Sequence, residues 1–165
     1  MTRSVLIVDD EQEVRLSIAG VLRDEGYQVL TAADAASVFE VLQKQYPDVI
    51  LLDVWMTGEN GERQQEGLDI LSRIKIQLPD SIIVIMSGHG NIETAVRATK
   101  LGAYDFIEKP LSLEKLLVIL QNAFQLRDLE RENQNLRSRV SKNKLMIGDS
   151  PAIKNLQRII RRVAP

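Results

Sequence analysis

The chain has no cysteine and a single histidine, His89, among its 165 residues. Disulfides, thiolate nucleophiles and thiolate metal sites are therefore excluded. His89 has no second imidazole to share a metal with, and it reads as loop structure. No apolar run approaches the length of a membrane span. The start, Met1-Thr2-Arg3-Ser4, has neither an apolar leader nor a small-residue cleavage site, so the expectation is a cytosolic protein without a membrane role. No GxxxxGK[ST] loop occurs, so nucleotide binding by that route is excluded for these residues. At 44% hydrophobic and 27% charged, the composition is that of an ordinary soluble globular protein. Net charge is only -2, but it is uneven. Residues 126–165 carry ten basic and four acidic side chains, leaving eleven basic and nineteen acidic in 1–125. The acidic part suits a cation site. The basic charges of the tail alternate with acids, as on a solvated helix face.

Short apolar runs alternate with helical periods. Val5-Leu6-Ile7-Val8 is wholly apolar, the mark of a strand buried on both faces, and it stops at Asp9-Asp10. From Glu11 the period changes: Val14, Ile18, Val21 and Leu22 share a helical face, which Gly26 ends. Gln28–Ala32 is a second strand, Ala36–Gln45 a second helix, and Asp48–Leu52 a third strand that finishes at Asp53. The polar, glycine-bearing stretch 57–67 reads as a surface loop. A third helix opens with Leu68, Ile70, Leu71 and Ile74. Ile82–Met86 is a fourth strand ending at Ser87. Ile92, Ala95, Val96 and Thr99 mark a fourth helix, closed by Gly102. Tyr104–Ile107 is a fifth strand running into Glu108-Lys109-Pro110, and Leu113–Leu126 a fifth helix. Five buried strands alternating with helices predict an α/β fold. The expected architecture is a flavodoxin-like, doubly wound, five-stranded parallel sheet of order 2-1-3-4-5, with a C-terminal helical, coiled-coil extension.

In such sheets ligands bind beyond the carboxyl ends of the strands. Those ends deliver Asp9 and Asp10, Asp53, Ser87 and Lys109 to one rim. Clustered carboxylates repel one another and call for a cation. An all-oxygen donor set favours a hard ion, and Mg²⁺ suits a phosphoryl site. An aspartate can attack phosphorus to form an acyl phosphate, with metal and ammonium offsetting charge on the phosphoryl oxygens. Each residue alone has a plainer use: Asp9-Asp10 as a helix cap, Asp53 as a turn, Ser87 as loop chemistry, Lys109 as a solvated charge. Their joint placement at four strand ends favours the site.

Val-Asp-Asp-Glu at 8–11, Asp53 after Ile-Leu-Leu, Met-Ser-Gly-His-Gly at 86–90 and Ala-Tyr-Asp-Phe-Ile-Glu-Lys-Pro at 103–110 resemble the response-regulator receiver family over about residues 3–125. The resemblance implies that Asp53 accepts a phosphoryl group from a sensor histidine kinase. It implies Mg²⁺ on Asp9, Asp10, Asp53 and the backbone carbonyl of Trp55, with Lys109 against the phosphoryl group. Ser87 and Phe106 match the switch pair of hydroxyl and aromatic ring. The runs at 87–96 and 103–110 are most similar to the NtrC/NtrX branch, in which a receiver precedes an ATPase that activates sigma-54 RNA polymerase and a DNA-binding domain. Two departures stand out: Thr57 replaces a customary proline, and the 57–67 loop is longer by about six residues if Gly67 aligns with the family glycine.

The expected organisation is a receiver at 1–125, a coiled-coil dimerisation linker at 126–141 and the start of a truncated ATPase domain at 142–165. Leu126, Leu129, Asn133, Leu136 and Val140 form an a/d seam, and asparagine at an a position favours a parallel, in-register homodimer. Ser141–Lys144 reads as a short linker and Met146–Pro151 as the cap of a last helix bearing Ile153, Leu156, Ile159 and Ile160. The leading function is a phosphorylation switch that is not itself an enzyme. The alternatives are a Mg²⁺-dependent phosphatase, a flavin-binding protein and a stand-alone phospho-dependent interaction module. The phosphatase needs an acid two residues after its nucleophile, where Trp55 stands. The flavin protein needs a phosphate-binding first loop, where Asp9, Asp10 and Glu11 would repel a phosphate.

Overall fold

The computed structural model describes residues 2–58, 60–88 and 92–148, with backbone alone for 143–148. Two compact units, Met1–Gln125 and Leu126–Pro165, divide the chain. His89 and the expected ATPase start from Asp149 onward lie outside the described residues.

The first unit is built on strands β1 (Ser4–Val8), β2 (Gln28–Ala32), β3 (Val49–Asp53), β6 (Ile83–Ser87) and β7 (Asp105–Glu108). They form one sheet in the order β2-β1-β3-β6-β7. Every pairing in it is parallel. Since β6 and β7 are its fourth and fifth strands along the chain, this is the expected 2-1-3-4-5 order. Successive residues of a strand point to opposite faces. In β3 and β6 all five residues are buried, which requires cover on both sides of the sheet.

On one face Leu6, Ile50 and Ile83 share a row across the sheet, and Val8, Leu52 and Ile85 the next. They cluster with Val38 of α2 (Ala35–Lys44), Leu68, Leu71 and Ile74 of α3 (Glu66–Gln77) and Ala98 of α4 (Ile92–Lys100). The alternate residues Val5, Ile7, Leu51 and Val84 face the other way. Buried Ile18, Ala19 and Leu22 of α1 (Gln12–Asp24) and Leu116, Leu120 and Phe124 of α5 (Leu113–Gly148) supply that second layer. Helix α2 begins with a reciprocal cap: the Ser37 amide donates to Asp34, and the Asp34 amide donates to the Ser37 hydroxyl.

Two local expectations change, and the inward face of the fourth helix is settled. Within the polar 57–67 stretch a small antiparallel hairpin forms from β4 (Met56–Thr57) and β5 (Arg63–Gln64). Polar residues suffice there because the hairpin is tied to the first unit through side chains, as described below. In α4 the inward residues are Thr94 and Ala98, while Ile92 and Val96 face solvent. Lastly, α5 spans Leu113–Gly148, so the backbone stays helical through Ser141–Lys144 and no linker interrupts it there. No proline or glycine occurs between Leu113 and Ile147, so nothing in that stretch stops helix propagation.

Candidate functional site

Strand β1 ends in the site. The Asp9 side chain is fully buried, and its Oδ1 accepts the Glu11 amide at 2.9 Å, turning the chain into α1. Its Oδ2 accepts the Lys109 ammonium at 2.6 Å. Asp9 therefore shapes the turn ahead of α1 rather than capping it, since α1 has Glu11 at its N-cap and no side-chain capping bond. Asp53, the last residue of β3, is also buried. Its Oδ1 accepts the Trp55 amide at 3.3 Å, and its Oδ2 lies 3.2 Å from the Lys109 ammonium, an ion pair rather than a hydrogen bond. Asp10 is half-buried and directs Oδ2 to Thr57, whose amide and hydroxyl donate at 2.9 and 2.8 Å.

Asp9, Asp10 and Asp53 each bring one carboxylate oxygen within 4.8 Å of the others. Lys109 follows β7, and its amide donates to the Ser87 carbonyl at 2.8 Å, which fixes it beside the end of β6. Ser87 is buried there. Phe106 pairs in register with Ile85 and packs partly buried against the core cluster. Trp55 is half-buried two residues beyond Asp53, with its amide on the site. The structure therefore gathers Asp9, Asp10, Asp53 and Lys109, ties Ser87 and Trp55 to them through backbone bonds, and sets Phe106 in β7, packed against the core.

Electrostatics follow from this packing. Burial pushes the Asp53 carboxyl up to about 6; the Lys109 charge opposes the rise and the Asp9 charge adds to it. Burial also works against the Lys109 ammonium, but the hydrogen bond to Asp9 and the charges of Asp53 and Asp9 hold its pKa above the usual value. For Asp10, burial is outweighed by the two Thr57 hydrogen bonds and the Arg63 charge, and its pKa falls.

Two anionic oxygens, Asp10 Oδ1 and Asp53 Oδ2, are buried and accept no hydrogen bond. Asp53 Oδ2 has only the Lys109 ion pair and Asp10 Oδ1 has no partner, so the three-carboxylate cluster keeps oxygen to offer a hard cation, and an all-oxygen donor set fits Mg²⁺.

The residue pattern did not reveal four supporting contacts. Thr57 holds Asp10, Arg63 of β5 pairs with Glu11, and Arg15 donates to the Asp9 carbonyl at 2.6 Å. The fourth is Gly67, whose amide donates to the Val54 carbonyl at 3.0 Å. Of these, Thr57 and Gly67 carried a signal, one as a departure from the family pattern and one as its customary glycine.

A parallel sheet of this order, with acidic β1 and β3 ends and a lysine after the last strand, has the arrangement of a receiver-type α/β domain. The family model for the response regulator receiver domain matches residues 5–121, and the chain belongs to that family. Its relatives include the nitrogen assimilation regulatory protein NtrX of Azorhizobium caulinodans, 41% identical over all of this chain and 35% of that protein. The crystal structure of NtrX from Brucella abortus in complex with ADP is 41% identical, with a TM-score of 0.75 over 100% of this chain and 36% of that one. The beryllofluoride-activated NtrC4 receiver domain dimer is 38% identical, with a TM-score of 0.66 over 75% of this chain and 98% of that one. The chain is thus a two-component response regulator receiver of NtrX/NtrC type, and it spans about a third of the length of the NtrX relatives. Among the described residues no helix is long and apolar enough to cross a membrane.

Proposed function

We propose that the chain receives a phosphoryl group on Asp53 from a sensor histidine kinase and passes that state to a dimeric, sigma-54-dependent transcription activator. The observation that carries the reading is the meeting of Asp9, Asp10, Asp53 and Lys109, drawn from three strand ends, with two buried carboxylate oxygens that accept no hydrogen bond.

Asp9, Asp10, Asp53 and the Trp55 carbonyl would hold Mg²⁺. When bound, the ion supplies positive charge against the carboxylates and the incoming phosphoryl oxygens. An Asp53 carboxylate oxygen attacks phosphorus, the bond from phosphorus to the donor's imidazole nitrogen breaks, and an acyl phosphate forms. With a pKa of about 6, Asp53 is mostly ionised at neutral pH and is available as nucleophile. Lys109 offsets the developing charge. Ser87 then donates to a phosphoryl oxygen, and Phe106 turns inward as its partner in the switch. Two residues on, Trp55 offers no acid or base, so the chain holds the phosphoryl group as a switch instead of running a phosphatase cycle.

The 126–141 segment would be the dimerisation element of a cytosolic protein. Leu129, Leu136 and Val140 of its seam are more than half exposed, an apolar stripe that a second copy would cover. Residues 142–165 would open an ATPase domain that contacts polymerase and acts at DNA-bound assemblies. The test is labelling by a small phosphodonor. Wild type should label with Mg²⁺ and lose the label on chelation, and Asp53→Asn should not label. A mutant that labels as strongly as wild type would refute the nucleophile assignment.

A further inference from the structure

Asp10 is held in an uneven way. Its Oδ2 accepts two hydrogen bonds, both from Thr57, the amide at 2.9 Å and the hydroxyl at 2.8 Å. Its Oδ1 is buried and accepts none. A carboxylate clamped along one edge cannot turn about its terminal bond, so its remaining oxygen keeps one direction. Asp10 also contributes an oxygen to the three-carboxylate cluster. The clamp itself is braced: Thr57 faces Arg63 across the β4–β5 hairpin, and Arg63 pairs with Glu11, the residue after Asp10. Adjacent acids at the start of α1 are thus each tied to one of two facing hairpin residues, 47 and 52 positions away in the chain.

We propose that Thr57 is a positioning residue for the divalent-cation site: it occupies one oxygen of Asp10 and thereby aims the other at the ion. This deepens the phosphoacceptor reading and rests on it. Partners that orient a metal-binding carboxylate change metal affinity about tenfold or more when removed. Thr57 is exposed, so its side chain can be exchanged without opening the core.

The experiment titrates Mg²⁺ into the whole chain and follows Trp55 fluorescence, since Trp55 is the one tryptophan and neighbours Asp53. Thr57→Val keeps the β-branched shape and loses the hydroxyl; Thr57→Ser keeps the hydroxyl. Thr57→Val should weaken Mg²⁺ binding about tenfold, and Thr57→Ser should stay within about twofold of wild type. In phosphodonor labelling, Thr57→Val should raise the half-saturating Mg²⁺ concentration by the same factor and reach the wild-type rate at saturation. A merely structural threonine would instead lower the maximal rate or the metal-free melting temperature. Equal Mg²⁺ affinity in Thr57→Val and wild type, or equal losses in Thr57→Val and Thr57→Ser, overturns the assignment and leaves the phosphoacceptor reading standing. A wild type that neither binds Mg²⁺ nor labels overturns both.

Discussion

Replacing Gly67 with alanine should destabilise the first unit by about 1–3 kcal/mol, because the new methyl has no room. Built on the observed backbone, its carbon would lie 2.0 Å from the Asp53 carbonyl oxygen, 2.7 Å from Val54 Cα and 2.8 Å from the Asp53 carbonyl carbon. These are backbone atoms, which cannot swing aside as a flexible side chain would. Strand β3 is pinned by β1 and β6, and the Val54 amide also donates to the Met86 carbonyl at 3.0 Å. The start of α3 must therefore move, stretching the bond from the Gly67 amide to Val54 and loosening buried Leu68 and Leu71. Overpacking costs about 1–3 kcal/mol and a lost hydrogen bond about 1 kcal/mol, while alanine's better helix propensity in the first turn of α3 returns about 1 kcal/mol. Urea unfolding followed by Trp55 fluorescence reads the difference as a shift in midpoint at unchanged slope. Gly20→Ala is the control. Gly20 sits exposed in α1 with nothing within 4 Å of an added carbon, so the change should stabilise by roughly 0.5–1 kcal/mol. If Gly67→Ala unfolds within about 0.5 kcal/mol of wild type, the close approach of α3 to the end of β3 is wrong.

Two further outcomes follow from the site and the tail. In metal-free protein the buried Asp53 favours its protonated form, with a pKa of about 6 against 3.8 unperturbed. Its contribution is fully present below about pH 3.8 and is lost as pH rises through about 6, a difference on the order of 3 kcal/mol. Unfolding free energy without Mg²⁺ should therefore fall between about pH 4 and 6.5 and level off above. Asp53→Asn should remove that slope, and an unchanged slope in the mutant would assign the titration elsewhere. The lowered pKa of Asp10 acts below that window and the raised pKa of Lys109 above it, so neither masks the effect. In the tail, Asn133→Leu should change the oligomer distribution in sedimentation, because Asn133 is the one polar residue among the a and d positions. A monomer in both proteins would remove the coiled-coil reading.

The sheet and the residues at its strand ends were legible for one reason. Apolar runs such as Val5–Val8 and Ile50–Leu52 can only be strands buried on both faces, and parallel strands put their carboxyl ends on one edge. Asp9, Asp53 and Ser87 end such runs and Lys109 follows the mixed strand β7, so their placement needed topology and no long-range contact. The β4–β5 hairpin was not legible, because it has two-residue strands, no apolar alternation, and anchors at Asp10 and Glu11 far away in the chain. In α4 the period was visible but the inward face was not, since Thr94 and Ala98 take the core side while Ile92 is left 82% exposed. Small residues fit where the helix runs close to the sheet, a spatial constraint that hydrophobicity alone does not encode. Residues 141–144 looked like a break because they are polar, yet polarity without proline or glycine does not end a helix.

Locating a bound cation tests the central arrangement most directly. Crystals soaked in Mn²⁺, which substitutes for Mg²⁺ and scatters anomalously, should show one peak coordinated by carboxylate oxygens of Asp10 and Asp53, with the Lys109 ammonium beside it. A peak elsewhere on the molecule, with those two carboxylates unliganded at saturating Mn²⁺, would contradict the account.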